Sequence, residues 1–339
     1  MNHHVKRLLA KLGPFLGLIL VIILFSLPAE MRDVFPTYGN FRFVFIQTVI
    51  VAVGALGMTM IIVSGGIDLS VGSSIAFTSV VGALLIQRGY GPVPVLLISI
   101  LSGGLIGLLN GAMIAGLRVV PFIITLGMLG IARGSAKWLA SDQTVNYDSS
   151  PINTWMNTPT FAFAEGGPHW LPGFLARFVE FLGKLPIGVW LAVALAVLTS
   201  LLLRNTVFGR HVFALGSNET TARLCGVPTT RLKIVIYALA GCFFGLAGLL
   251  QLSRLRQGDP TVAVGLELDI IAAVIIGGAS LSGGVGTILG SMIGALIMAV
   301  LRNGSQQMGW PTYFQEIIIG VVIIVAVFLD RLRQGKASS

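Results

Sequence analysis

Charge is what this sequence has least of. Of 339 residues only 10% are Asp, Glu, Lys or Arg, 22 basic against 13 acidic, where a soluble domain carries about 25%. Residues of the AVILMFWYC set reach 55%, 43 glycines come on top, and the mean hydropathy is +0.91. A soluble globule cannot keep that much apolar surface from water, and the same composition excludes disorder. Two cysteines rule out a disulfide scaffold or a zinc ribbon. His3, His4, His169 and His211 are scattered and show no metal spacing. No Gly-x-x-x-x-Gly-Lys-Ser/Thr segment exists to cradle nucleotide phosphates. No aromatic-basic interleaving points to nucleic acid. What remains is an integral membrane protein with lipid as its solvent.

A helical crossing takes about 20 mostly apolar residues. Stretches without Asp, Glu, Lys or Arg cover 12–29, 43–67, 69–87, 89–117, 119–132, 185–203, 234–253, 270–301, 303–315 and 317–329. They are continuous rather than alternating, which means helices and not barrel strands. The run 270–301 is too long for one straight crossing and breaks in its glycine-rich middle. The run 303–315, with Gly304, Gly309 and Pro311, reads as a loop. The run 119–132 extends to about Ala140 if Arg133 and Lys137 face protein or headgroups. The expectation is an all-α membrane protein of about ten transmembrane helices forming a single transmembrane domain over 1–339.

Orientation follows from basic residues. Lys6, Arg7 and Lys11 precede the first span, Arg331, Arg333 and Lys336 follow the last, and the loop 204–233 holds Arg204, Arg210, Arg223, Arg231 and Lys233. An even number of spans between them puts all three on the cytoplasmic side. That placement also accounts for the net charge of +9. Arg32 and Arg42 run against this bias. The segment 141–185 becomes the long extracytoplasmic loop, its Asp142, Asp148, Glu165 and Glu180 offsetting Arg177 and Lys184. The basic, apolar, then Ser26-Leu27-Pro28-Ala29 start resembles a secretory signal, but cleavage would spoil the charge pattern, so retention is expected.

The sequence repeats itself once. Gly65-Gly66-Ile67-Asp68-Leu69-Ser70-Val71-Gly72 is echoed by Gly277-Gly278-Ala279-Ser280-Leu281-Ser282-Gly283-Gly284, both of the form Gly-Gly-x-x-Leu-Ser-x-Gly. Transporters are often two repeats, and glycine-interrupted helices at matching positions point to the substrate pathway because they expose backbone groups. Close helix packing through small residues explains the same pattern. Within the basic loop, Ser217 or Asn218 suits an N-cap, Glu219 a first turn and Arg223 a last turn, and Gly226 with Pro228 ends a short helix. Such a helix acts as a rigid lever if another protein grips it, or is a solvated connector.

Taken in order, these residues carry a resemblance. Ser64 through Ser73 is similar to the signature of bacterial ABC importer permeases of the ribose/galactose/xylose class. Asn110-Gly111, Pro121-Phe122-Ile123-Ile124-Thr125-Leu126-Gly127, Phe208-Gly209-Arg210, Ala214-Leu215-Gly216-Ser217-Asn218 and Leu224-Cys225-Gly226-Val227 follow. Gly265-Leu266-Glu267-Leu268-Asp269 running into Ile275-Ile276-Gly277-Gly278, then Leu281-Ser282-Gly283-Gly284-Val285-Gly286, complete the set. The likeness covers roughly 43–328. Ser217 and Cys225 depart from the residues common in that family. The resemblance implies a multi-pass subunit of the bacterial inner membrane, paired with a second permease, identical or paralogous. An ATP-binding subunit holding ATP and Mg sits inside and a periplasmic sugar-binding protein outside. It also implies that Gly216, Asn218, Glu219, Ala222, Arg223 and Gly226 meet the ATP-binding subunit. The chain itself binds no cofactor, metal or nucleic acid on this reading.

Polar residues in apolar helices are the remaining candidates. Asp68 either caps the helix starting near Leu69 or contacts cargo, with Ser70, Ser73 and Ser74 on the adjoining turn. Glu267 and Asp269 flank the next broken helix, where Asp269 is a second possible cap. Asn110 and Thr125 face a water-filled cavity or bond a neighbouring helix. With Phe122 of the family-like motif, Asp68, Ser70, Ser73, Asn110 and Thr125 make up the candidate pathway. Cys225 and Cys242 are too differently placed to bridge. A nucleoside or autoinducer importer is the nearest rival. An ion-coupled transporter needs intramembrane charges that are nearly absent here, and a membrane enzyme needs a reactive constellation that is not visible.

Overall fold

The computed structural model describes residues 3–161 and 172–335; Glu165, His169 and Lys336 lie outside them. The first five helices are α1 (His3–Ser26), α2 (Tyr38–Val63), α3 (Val71–Gln87), α4 (Pro92–Leu117) and α5 (Pro121–Leu139). Strand β1 (Val145–Asn146), α6 (Thr154–Asn157) and α7 (Gly173–Gly183) then lead to α8 (Ile187–Asn205). Next come α9 (Val207–Ser217), α10 (Glu219–Leu224) and α11 (Thr229–Leu255). Strand β2 (Gln257–Gly258), α12 (Leu266–Ile276), α13 (Ile288–Gln307) and α14 (Thr312–Gly335) complete the chain. Among the described residues, α2, α4, α8, α11 and α13 are long and apolar enough to cross a membrane. Shorter apolar helical stretches lie at Leu12–Ser26, Val71–Gln87 and Thr312–Val325.

Helix α2 is the axis of the bundle. It is apolar on every side and buried without interruption over 48–63, as expected of a helix surrounded by others. Thr37 caps it by accepting the Asn40 N–H at 3.2 Å. The tightest helix pair is α4 with α11. Gly103, Gly107 and Gly111, four residues apart on one face of α4, lie against Ile234, Tyr237, Gly241 and Gly245 of α11. A Cβ on Gly103 would sit 2.6 Å from the Gly245 nitrogen, and one on Gly111 2.8 Å from the Ile234 Cα. Small residues are what let two backbones approach this closely where no hydrophobic effect drives them together. This stripe escaped the sequence reading, which weighed only the Gly-Gly pairs.

One sequence expectation changes, and two segments read as loops carry regular structure. The run 303–315 is not all loop: α13 continues past Arg302 to Gln307, and the turn is confined to 308–311. An arginine inside the last turns is tolerated there because it has a buried partner, described below. The loop 204–233 is mostly helical, since Thr206 caps α9 by accepting the Gly209 N–H at 3.2 Å. The described residues of 141–185 are likewise tied down. Val145 pairs with Gly258 across β1 and β2, Ser253 Oγ donates to Ile152 O at 2.6 Å and accepts the Met156 N–H at 3.1 Å. Tyr147 donates to Asn153 Oδ1 at 2.7 Å, and partial burial pushes its phenol up to about 12, so it stays a donor at any working pH. Helix α5 does reach Leu139, as expected. Arg133 faces protein, donating to Val262 O at 2.6 Å and Pro260 O at 2.9 Å, while Lys137 stays exposed beside Asp142 at 3.4 Å.

Candidate functional site

Both glycine-rich echoes end a helix in the same way. After α2 the Gly65 N–H bonds Ile62 O and the Gly66 N–H bonds Ile61 O, each at 2.9 Å, with Gly65 at φ +86°. After α12 the Gly278 N–H bonds Ile275 O at 2.8 Å and the Ala279 N–H bonds Val274 O at 3.1 Å, with Gly278 at φ +91°. These are two Schellman caps, which need a left-handed residue that glycine supplies without strain. The caps are one residue out of step with the sequence echo. Gly65 takes the left-handed position in the first copy and Gly278, the second glycine, takes it in the other.

The turns that follow return to the sequence register. Asp68 Oδ1 accepts the Ser70 N–H at 2.7 Å and the Ser70 hydroxyl at 2.6 Å. At the matching positions Ser280 Oγ accepts the Ser282 N–H at 3.3 Å and lies 2.8 Å from Ser282 Oγ. Asp68 therefore closes an Asx turn and is not the helix cap expected of it. Ser70 occupies the N-cap position, without a side-chain capping bond, and α3 starts at Val71.

Asp68, Ser70, Asn110 and Thr125 come together. Asn110 Nδ2 of α4 reaches Ser70 Oγ at 2.9 Å and Asp68 Oδ2 at 3.2 Å. Thr125 of α5 donates to Ile67 O at 3.4 Å, and the Tyr237 hydroxyl of α11 to the same carbonyl at 3.5 Å. All four, and Ser73, are sealed from the surface of this chain. Of the candidate pathway residues only Phe122 is exposed, at 47%. The cluster thus ties the first break to three helices. Asn110→Leu leaves Asp68 Oδ2 without this donor, and about 1–3 kcal/mol of stability is expected to be lost. A lowered thermal midpoint in detergent checks it; an unchanged midpoint means that the bond contributes nothing.

The second break folds back onto the first. Gly284 N–H donates to Val63 O, the last helical carbonyl of α2, at 2.8 Å. Gly216, at the end of α9, is wedged into this junction. A Cβ there would overlap the Val63 carbonyl and lie 2.6 Å from the Gly284 nitrogen, while one on Gly283 would lie 2.6 Å from Gly216 O. Gly283 and Gly284 are both left-handed, at φ +86° and +73°. Two residues, Ser217 and Asn218, separate this wedge from the start of α10.

Helix α10 follows the residue signals closely. Asn218 is its N-cap and accepts the Thr221 N–H at 2.8 Å. Glu219 lies in the first turn and Arg223 in the last, 3.2 Å apart. Gly226 ends it with φ +84°. Lys233, from the first turns of α11, adds a second ion pair to Glu219 at 2.8 Å. Ala222 is buried beneath the helix, and Leu224 projects outward, 84% exposed. Partial burial raises the Glu219 pKa, but the hydrogen bonds and charges of Lys233 and Arg223 outweigh it and hold the carboxyl below its ordinary value. Its anchoring of α10 is therefore fully present above the ordinary carboxylate pKa and lost as pH falls through the lowered one. Amide-exchange protection of α10 is expected to be flat from about pH 8 to 5 and to drop below about pH 4; protection lost at pH 6 contradicts this.

At the opposite end of the bundle Asp269 and Arg302 pair. Arg302 Nε donates to Asp269 Oδ2 at 2.5 Å, with the carboxylate fully buried. Asp269 is therefore not a cap: the residue before α12 is Gly265, at φ +79°. Glu267 makes no cap either, its Oε2 buried without a partner among the described residues. No three His, Cys, Asp or Glu side chains converge there or elsewhere among the described residues.

Residues 40–327 match the protein family described as branched-chain amino acid transport system, permease component. The chain belongs to this permease family. It is 38% identical to the ribose import permease RbsC of Bacillus subtilis over 98% of this chain and 96% of that protein. The RbsC of Escherichia coli K12 is 36% identical over 94% of both chains. The L-arabinose ABC transporter permease AraH of Azospirillum brasilense is 33% identical over 94% of this chain and 88% of that one. No solved structure matches the chain.

Proposed function

We propose that this permease is the membrane-spanning subunit of an ATP-driven importer that carries a monosaccharide delivered by a periplasmic binding protein. The named relatives are ribose and arabinose permeases, and that favours a sugar over the amino acid of the family description. Ten crossings fit the helices: α1 to α5, α8, α11, the half-length α12, α13 and α14. The basic residues support both termini and the α9–α10 segment on the cytoplasmic side of a bacterial inner membrane, with 141–185 outside. A second permease, identical or paralogous, completes the membrane part.

One observation carries the mechanism. The capped helix α10 is joined through Gly216 to the junction where both helix breaks meet. A partner that grips the outward Leu224 and the Glu219–Arg223 face and moves it also moves the ends of α2 and of the second break. Discontinuous helices are where alternating access is set in transporters. ATP binding on the partner subunit closes that subunit, α10 follows, and the pathway changes its open side. Asp68, Ser70 and Asn110 hold the first break in shape, and weak polar groups elsewhere pass the cargo on.

Affinity purification from detergent, followed by mass spectrometry, tests this. An ATP-binding subunit is expected to co-purify and to be lost when 216–226 is scrambled. Retention of that subunit by the scrambled variant contradicts the docking assignment.

A further inference from the structure

A second polar site lies away from the breaks. Gln47 of α2, Gln251 and Arg254 of α11, Asp269 of α12, and Arg302 and Gln306 of α13 line a cleft of about 250 Å³. It lies at the end of the bundle remote from α10. Ala263 and Val264 of the connection between β2 and α12 form one wall, with Ile50, Val51 and Met298 among the apolar floor. That connection is fixed by Arg133, whose guanidinium holds the carbonyls of Pro260 and Val262, and Ala263 is left-handed at φ +61°.

The cleft contains more hydrogen-bonding capacity than the chain uses. The side chains of Gln47, Gln251, Arg254 and Gln306 make no hydrogen bond or ion pair among the described residues, and Arg302 spends only Nε on Asp269. Asp269 Oδ1 is buried with no partner among the described residues. Polar groups inside a membrane bundle are costly and mark ion or substrate routes. Pockets for drug-sized ligands start at about 300 Å³, so this one fits something smaller, the size of a single sugar ring. Amides that both donate and accept, and guanidinium groups that donate, over an apolar floor, match a ring with hydroxyls at its edge and C–H groups on its face.

We propose that this cleft is a transient binding site for the neutral polyhydroxylated cargo on the side where it enters, with Gln47, Gln251 and Arg254 contacting hydroxyls and Asp269 positioning Arg302. The proposal rests on the sugar-importer reading. Because Gln47 and Gln251 come from different helices, the site senses their spacing, so it tightens or loosens when α2 moves against α11. None of the candidate pathway residues read from the sequence belongs to it.

The test is uptake of labelled D-ribose, L-arabinose and D-galactose by the complete importer in proteoliposomes, wild type against the double variant Gln47→Leu with Gln251→Leu. Uptake is expected to fall by about tenfold or more, for two lost cargo hydrogen bonds, while the ATP-binding subunit still co-purifies. Uptake within twofold of wild type overturns the cleft. If the double variant does not assemble, Gln251→Cys in a Cys225→Ser, Cys242→Ala background decides. A charged thiol reagent is expected to label it more slowly in millimolar sugar, and equal labelling overturns the site. Protection by ribose 5-phosphate but not by ribose overturns the assignment to neutral cargo. Absence of ATP-driven sugar uptake by the wild-type complex defeats the functional reading itself, a different outcome from normal wild-type uptake with an unimpaired variant.

Discussion

Gly216→Val is expected to abolish coupled transport while leaving most of the bundle folded. Gly216 sits where the α2 carbonyl of Val63, the Gly284 nitrogen and the Gly283 backbone converge, and even a methyl group overlaps backbone rather than a yielding side chain. Overpacking of this kind costs about 1–3 kcal/mol. Backbone cannot rotate away, so the junction must open, and the Gly284 N–H to Val63 O bond is the first to go. A shift of about 1–3 kcal/mol between the coupled states corresponds to a 5–150-fold loss. Gly216→Ala belongs in the lower part of that range and Gly216→Val at or beyond its top. Gly130→Ala is the control: it lies on α5 with nothing within 4 Å of its would-be Cβ, and uptake should be unchanged. Equal uptake by Gly216→Val and wild type, measured in the same membranes, means that the junction transmits nothing.

Asp269→Leu is expected to lower stability by about 3–5 kcal/mol, the usual cost of removing one member of a buried ion pair. Asp269 is fully buried and Arg302 only 31% exposed, so water can screen the stranded guanidinium only in part. The companion experiment is more telling. Asp269→Leu with Arg302→Met is expected to recover most of the thermal midpoint, because well-packed apolar residues replace such pairs at little cost. The double variant should nevertheless transport poorly, since Arg302 also faces the polar cleft. Recovery of stability and of uptake together assigns the pair to stability alone.

The short helix was legible in the sequence because its determinants are local. Asn218, Glu219, Arg223 and Gly226 each act within a turn of their own position, and the helix lies where they place it. The break after α12 was legible for the same reason: a run of glycines states a local backbone need. Long-range partners were not. Arg302 ended a charge-free run and looked like a boundary, yet Asp269, thirty-three positions away, takes it into the bundle. Asp68 and Asn110 stand out in the sequence, but a polar residue in an apolar stretch gives no sign of whether it faces cargo or another helix. Only the 2.9 Å and 3.2 Å bonds of Asn110 show what it holds. Lys233 was counted as part of a basic loop, and its second ion pair with Glu219 depends on how α11 leaves α10. The glycine stripe of α4 could have been found from its four-residue spacing alone.

The most direct measurement is sugar uptake by the purified complex in proteoliposomes, with ATP trapped on the side of α10, the binding protein on the other, and ion gradients imposed or collapsed at will. Uptake that requires ATP and the binding protein, and ignores the gradients, is the predicted result. Uptake driven by a proton or sodium gradient without ATP would contradict the account at its centre.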